Sequence, residues 1–128
     1  MKIVSLLRRT FKKSRKILYI SSKKELNILD EELSKNKAFG LDTEFDWRTT
    51  YFPKLSLIQI STQRNLFLID CLKVSPEKVL KKYLESKKFL KIFHSVRSDA
   101  TVLSKCLGCF TKNVFDIQVA DKILSSGD

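Results

Sequence analysis

The stretch AFGLDTEFDW, at residues 38–47, constrains the fold more strongly than any other part of this sequence. Its large apolar residues alternate with small or acidic ones, which is the two-residue period of a β-strand that buries one face. Over residues 38–45, one face carries Ala38, Gly40, Asp42 and Glu44, and the other carries Phe39, Leu41, Thr43 and Phe45. The acidic face has small neighbours, so the strand leaves space for a ligand beside its two carboxylates.

Asp42 and Glu44 are like charges on one face of this strand. Two carboxylates so close repel each other, which raises the pKa of one unless a cation neutralises them. A hard divalent cation such as Mg²⁺ or Mn²⁺ binds oxygen ligands of this kind. The alternative is a strand at the edge of the sheet, with both acids simply solvated. From these residues alone, a metal site and a solvated edge are equally compatible with the pattern.

A further acid in unexpected surroundings lies on a helix predicted over 96–107. At the 3.6-residue helical spacing, Asp99 shares a stripe with Val96, Ala100, Leu103, Cys106 and Leu107. The helix dipole favours an acid in the first turn, which is one explanation. The other is that Asp99 joins the two strand carboxylates as a third ligand. Three acids around two divalent ions can activate water and stabilise a leaving oxygen in phosphoryl transfer.

The rest of the chain alternates strand and helix patterns. Ser22 and Glu25 form a capping box that begins one helix, and Pro76 occupies the first turn of another, which ends near Ser86. Strand patterns cover 17–20, 54–61, 66–70 and 88–93, the middle two forming a hairpin, and 113–124 starts extended and ends helical. This order predicts an α/β domain with a mixed central sheet and flanking helices.

The chain carries 25 Lys and Arg against 14 Asp and Glu, a net charge of +11. Such an excess favours a polyanionic partner, either nucleic acid or an anionic membrane surface, although a Lys-rich surface without such a partner gives the same charge. Seven of the basic residues lie in the first twenty, which contain no acid. Residues 1–16 therefore read as a basic extension: a solvated tail, a mitochondrial presequence, a membrane-surface helix or a nucleic-acid-binding arm.

The three cysteines are an odd number and do not form the pattern of a secreted disulfide framework. Cys106 and Cys109 have CxxC spacing, but a structural zinc site needs four ligands and His94 is the only histidine. No apolar run reaches the length of about 18 residues that indicates a transmembrane helix. We expect reduced thiols and a cytoplasmic location, with a mitochondrial location as the alternative from the basic N-terminus.

With these residues in hand, the sequence resembles the ribonuclease D-like 3′–5′ exonucleases of the DEDD superfamily. LDTEFDW resembles the first motif of that family, in which Asp-x-Glu supplies two metal ligands. KIFHSVRSDATVL resembles the second motif, and its acid corresponds to Asp99. YFPKLSLIQIS and LFLIDCL resemble the hairpin between the motifs, and NVFDIQVADKIL resembles the segment beyond them. The resemblance spans residues 17–128 and implies a ribonuclease H-like fold.

The resemblance also implies an activity, which is removal of nucleotides from the 3′ ends of RNA or single-stranded DNA, with RNA favoured. The implied mechanism is hydrolysis with two divalent metal ions, Mg²⁺ or Mn²⁺. Asp42, Glu44 and Asp99 are then the metal ligands and catalytic residues, and Glu44 also helps to orient the attacking water. Residues with an implied substrate contact, each of which also has a structural explanation, are Phe45, Trp47, Arg48 and His94.

One part of the family pattern has no counterpart. The third motif is Tyr-x-x-x-Asp, but the residues four positions after Tyr19, Tyr51 and Tyr83 are Lys23, Leu55 and Lys87. We therefore expect 17–128 to be a partial exonuclease domain without its C-terminal part, weak or inactive alone. The alternatives are a non-catalytic nucleic-acid-binding module and a half-enzyme that a second polypeptide completes.

Overall fold

The computed structural model describes residues 15–126, so nearly all of the basic extension predicted at 1–16 lies outside the described residues. The strands are β1 (Lys16–Ile20), β2 (Ala38–Asp46), β3 (Lys54–Ser61), β4 (Asn65–Asp70), β5 (Leu90–Phe93) and β6 (Val114–Asp116). The helices are α1 (Lys23–Ser34), α2 (Glu77–Leu84), α3 (Val96–Leu107) and α4 (Ile117–Ser125). None of these helices is long and apolar enough to cross a bilayer.

The strands of the described region form one mixed sheet in the order β1–β4–β3–β2–β5–β6. β3 pairs antiparallel with β2 and β4, whereas β1 is parallel to β4, and β5 is parallel to β2 and β6. β3 and β4 form the predicted hairpin, and residues 62–64 connect them. The α/β class and the mixed central sheet predicted from the sequence are therefore confirmed.

One face of the sheet carries the hydrophobic core. Phe39 and Leu41 of β2 belong to a single buried cluster with Ile58 and Ile60 of β3 and Phe67 of β4. The helices add the buried residues Leu26, Leu29 and Leu33 of α1, Leu80, Tyr83 and Leu84 of α2, and Val102, Leu103 and Leu107 of α3. The core-facing side of α3 is thus wider than the predicted stripe, because it includes Val102.

The structure confirms the predicted start of α1 and corrects the predicted start of α2. The capping box of α1 is confirmed, because the Glu25 N–H donates to Ser22 Oγ at 3.3 Å and the Ser22 N–H donates to Glu25 Oε2 at 3.0 Å. The prediction that Pro76 lies in the first turn of α2 is off by one position. Pro76 is the N-cap, since its carbonyl accepts the first helical bond from the Leu80 N–H at 2.9 Å.

Lys91 of β5 is a fully buried lysine that the sequence pattern does not reveal. Its ammonium donates to three backbone carbonyls, those of Tyr83 at 3.1 Å, Ser86 at 2.7 Å and Phe89 at 2.7 Å. These bonds hold the end of α2 and the loop after it against β5. Burial lowers the pKa of the Lys91 ammonium to about 8, because the charged form loses its hydration.

The opposite face of the sheet is open within residues 15–126. The strand residues that project from it, from β1 across to β6, are exposed or partly exposed, and a shift in the β2–β3 pairing places the buried Leu55 on the core face instead. Large apolar side chains at its two sides are between 47% and 64% exposed, namely Ile17, Tyr19, Phe115 and Ile117. α4 contributes no buried residue. Asp42 and Glu44 project from this open face.

Candidate active site

The two acids of β2 lie where the alternation predicts, but in the middle of the sheet. Asp42 pairs across the ladder with Gln59, and Glu44 pairs with Leu57. β2 is bonded to β3 along residues 40–46 and to β5 along residues 38–40, so it is not an edge strand, although both acids lie beyond the part that pairs with β5. Both carboxylates are nevertheless exposed, because no described helix covers that face.

Asp99 in the first turn of α3 is buried, as its position on the apolar stripe predicts, with 5% of its surface exposed. Its carboxylate reaches the residue between the two acids of β2: Thr43 donates to Asp99 Oδ1 from its N–H at 3.1 Å and from its Oγ1 hydroxyl at 2.5 Å. Thr43 therefore does more than fill the core, which is the role that the sequence assigns to its face.

Burial raises the pKa of the Asp99 carboxyl above its ordinary value, because the ionised form loses hydration. The two bonds from Thr43 act in the opposite direction by stabilising the charge. The nearby negative charge of Asp42 adds to the rise, which places these two acids within electrostatic reach of each other. The fold thus joins an acid of β2 and an acid of α3 that are 57 positions apart in the sequence.

Asp116, at the end of β6, fixes the start of α3. Its carboxylate accepts from the Ser95 N–H at 3.0 Å and the Val96 N–H at 2.9 Å, and it also caps α4 through the Gln118 N–H at 2.9 Å. These bonds lower the pKa of Asp116. They also support Ser95, whose φ of 63° lies in the left-handed region. Asp116 is not among the site residues predicted from the sequence, although an acid between a strand and a helix is an N-cap signal.

His94, at the end of β5, is exposed and lines a cleft of about 260 Å³ with Asp42. Gly40, Gln59 and Ile117 also border this cleft, which opens on the bare face of the sheet. His94 and Asp42, both singled out from the sequence, are therefore brought to one surface depression. The small residue at position 40 leaves the depression open, as the alternation indicates.

The remaining predicted substrate contacts follow β2 directly. Phe45 is half buried and packs against the core, and a shift in the strand pairing separates it from Glu44. Its ring contacts Trp47 edge to face, with 6.1 Å between ring centroids. Arg48 is exposed and paired with Asp46, with Nε 3.0 Å from Oδ1. Trp47 and Arg48 lie on the surface, whereas Phe45 also has the packing role considered from the sequence.

The described residues contain no ready-made metal centre. Across 15–126, no group of three His, Cys, Asp or Glu side chains is arranged to hold an ion. The three cysteines are free, and the thiol of Cys106 donates to the Pro53 carbonyl at 3.1 Å. The candidate ligands are therefore two exposed carboxylates of β2 and one buried carboxylate of α3 held by Thr43.

A family model described as 3′–5′ exonuclease matches residues 17–128, nearly the whole chain. The chain belongs to the 3′–5′ exonuclease family. This confirms the family resemblance that the motifs around Asp42 and Asp99 indicate. The matched range begins within β1 and includes every later element of the sheet.

Individual relatives agree with this membership. A ribonuclease D of Desulfotalea psychrophila is 34% identical over 102 residues, which cover 79% of this chain and 27% of the relative. The catalytic core of RRP6 from Trypanosoma brucei superposes with a TM-score of 0.83 at 26% identity, covering 88% of this chain and 32% of that one. Escherichia coli RNase D, an exoribonuclease involved in structured RNA processing, gives 0.76 at 29% identity, covering 85% and 28%. The chain spans less than a third of each of these proteins.

Proposed function

We propose that this exonuclease-family chain acts on the 3′ ends of RNA by metal-dependent hydrolysis of the terminal phosphodiester. The observation that carries the proposal is the approach of Asp99 of α3 to the acid-bearing segment of β2, through the two Thr43 hydrogen bonds. Related proteins support RNA over DNA, since they include a ribonuclease D and an exoribonuclease involved in structured RNA processing. The net charge of +11 is suited to a polyanion.

The donor set fits a hard divalent cation. All three candidate ligands are carboxylates, the oxygen donors that Mg²⁺ and Mn²⁺ prefer. We propose Asp42, Glu44 and Asp99 as the residues that hold two such ions, which supply the charge that activates water and stabilises the leaving oxygen. The two hydrogen bonds from Thr43 favour the ionised form of the Asp99 carboxyl and direct it at β2. His94, beside Asp42 in the cleft, together with Phe45, Trp47 and Arg48, contacts the terminal nucleotides.

Metal binding is tested directly by calorimetry with MnCl₂ on the purified chain. Asp42→Asn and Asp99→Asn should each weaken the binding, because each removes an anionic ligand. Glu31→Gln is the matched control, since Glu31 is an exposed carboxylate of α1 that pairs with Lys35. Equal Mn²⁺ affinity in the wild type and both site variants would remove these residues from the ligand set.

Activity is tested with single-stranded RNA and DNA of the same sequence, labelled at the 5′ end, with MgCl₂ or MnCl₂. We expect the RNA to shorten one nucleotide at a time, which gives a ladder of products. This shortening should need the metal and should be absent with Asp42→Asn. Metal-independent shortening, or equal shortening by the variant, would contradict the proposal. A non-catalytic binding module would bind the RNA and leave its length unchanged.

A second candidate is a half-enzyme completed by another polypeptide, and the open face of the sheet favours it. Asp42 and Glu44 project from a face that no described helix covers, beside exposed apolar side chains such as Ile117. A neighbouring reading frame that encodes Tyr-x-x-x-Asp would identify the partner. Co-expression with that frame should then give RNA shortening that the chain alone lacks.

We also propose a cytoplasmic location for the chain, with a mitochondrial location as the alternative.

A further inference from the structure

Three aromatic side chains emerge together on the loop between β2 and β3. Trp47, Tyr51 and Phe52 are 45%, 89% and 59% exposed, although burial of such rings is strongly favourable. Tyr51 and Phe52 contact each other edge to face, with 5.0 Å between ring centroids. Exposed aromatic side chains gathered in one place indicate a surface that contacts something else.

A lysine of α3 holds two of these rings together. The Lys105 ammonium lies 6.0 Å from the centroid of the Trp47 ring and 5.6 Å from that of the Phe52 ring. A cation over an aromatic face is attracted by the electron density of the ring. The loop is also tied to α3 by the Cys106 thiol, which donates to the Pro53 carbonyl at 3.1 Å. The rings are therefore presented on a surface attached to the helix of Asp99.

We propose that Tyr51 and Phe52, together with Trp47 and Lys105, form a stacking platform for the bases of single-stranded RNA. Bases stack on exposed aromatic rings without regard to sequence, and nearby cations bind the phosphates. This inference rests on the proposed function, because the platform binds the segment of RNA that precedes the 3′ end held at the acids. It goes beyond that function by assigning Tyr51, Phe52 and Lys105, which belong to none of the site residues above.

The distance along the chain sets the position of the platform on the RNA. Trp47 is three residues beyond Glu44, and three residues span at most about 10 Å. A stacked strand advances about 3.4 Å per nucleotide. The platform therefore begins no more than about three nucleotides before the one at the acids. An oligonucleotide of eight residues is long enough to occupy both places.

The test measures binding of 5′-fluorescein RNA by anisotropy in EDTA, where metal-dependent hydrolysis does not occur. The probes are an unstructured 8-mer and an RNA hairpin with no single-stranded tail. Phe52→Ala and Tyr51→Ala should each weaken binding of the 8-mer by about 10-fold, the scale of one lost stacking contact, and leave binding of the hairpin unchanged. Phe52→Trp should restore 8-mer binding. Lys105→Gln should lower the slope of log affinity against log salt by about 1.

Phe110→Ala is the matched control, because Phe110 is an equally exposed aromatic (64%) in a different loop, where its N–H donates to Glu85. Unchanged 8-mer binding in Phe52→Ala overturns the platform, as does an equal loss of binding for the hairpin. An equal effect of Phe110→Ala also overturns it. The proposed function fails separately, through Asp42→Asn in the shortening assay, so the two outcomes are distinguishable.

Discussion

Replacement of Thr43 by valine tests whether the contact between β2 and α3 organises the candidate site. Valine keeps the branched shape but removes the hydroxyl that donates to Asp99 Oδ1 at 2.5 Å. The backbone N–H of residue 43, at 3.1 Å, remains as a donor to the carboxylate. The variant thus separates one hydrogen bond from the packing around it.

The expected cost follows from the burial of both partners. Thr43 and Asp99 are 6% and 5% exposed, so water cannot replace the lost donor. A hydrogen bond to a charged group contributes about 1.5–3 kcal/mol. We therefore expect Thr43→Val to lower the free energy of unfolding by about that amount, a change of roughly 10- to 150-fold in the unfolding equilibrium constant. Mn²⁺ affinity should fall by about 10- to 100-fold, as for other residues that orient a ligand.

Urea denaturation at neutral pH and calorimetry with MnCl₂ measure the two effects. Thr43→Ser is the control that keeps the hydroxyl, and it should retain most of the Mn²⁺ affinity. A double-mutant cycle with Asp99→Asn isolates the pair, since the interaction energy excludes losses that each variant causes alone. If Thr43→Ser weakens Mn²⁺ binding as much as Thr43→Val does, or if the cycle shows no interaction energy between residues 43 and 99, then the hydroxyl does not position Asp99.

Other features of the fold make further predictions. Lys91 has a pKa of about 8 when folded and 10.5 as its ordinary value, so the unfolded chain binds more protons between these pH values and stability there rises with pH. Urea denaturation across that range gives the free energy of unfolding of the wild type and of Lys91→Met. The difference between the two should rise with pH, and a difference that does not change with pH would contradict this prediction. Asp116 has a lowered pKa, so its stabilisation is present above its ordinary value of 3.8 and is lost as pH falls through the lower folded pKa. The wild type should therefore exceed Asp116→Asn in thermal stability at neutral pH, and thermal unfolding should show that this difference becomes smaller at acidic pH. Gly108 caps α3 with a φ of 62°, so Gly108→Ala should lower the free energy of unfolding by about 1–2 kcal/mol, and an unchanged midpoint in urea would refute this.

Local patterns in the sequence predict much of this fold because their causes lie within a few residues. The Ser22–Glu25 cap, the β3–β4 hairpin and the alternation around Asp42 each depend on neighbours in the chain, and all three are found in the structure. The burial of Asp99 was likewise readable from its helical stripe. These features required no knowledge of the sheet order.

Contacts between distant segments were not predictable in the same way. Asp116 bonds to backbone N–H groups about 20 positions earlier, which requires β5 and β6 to be adjacent. The interior position of β2 likewise depends on pairings with β3 and β5. Each of these is a consequence of topology rather than of local pattern.

The alternation in β2 also restricts how this gene can change. Substitution at position 40 or 43 alters one side chain, but deletion of one residue between 38 and 42 shifts the parity of the rest of the strand. Asp42 and Glu44 would then face the core, and Thr43 would face the open side, away from Asp99. We therefore expect insertions and deletions to be excluded from this strand in functional descendants, even where the individual residues vary.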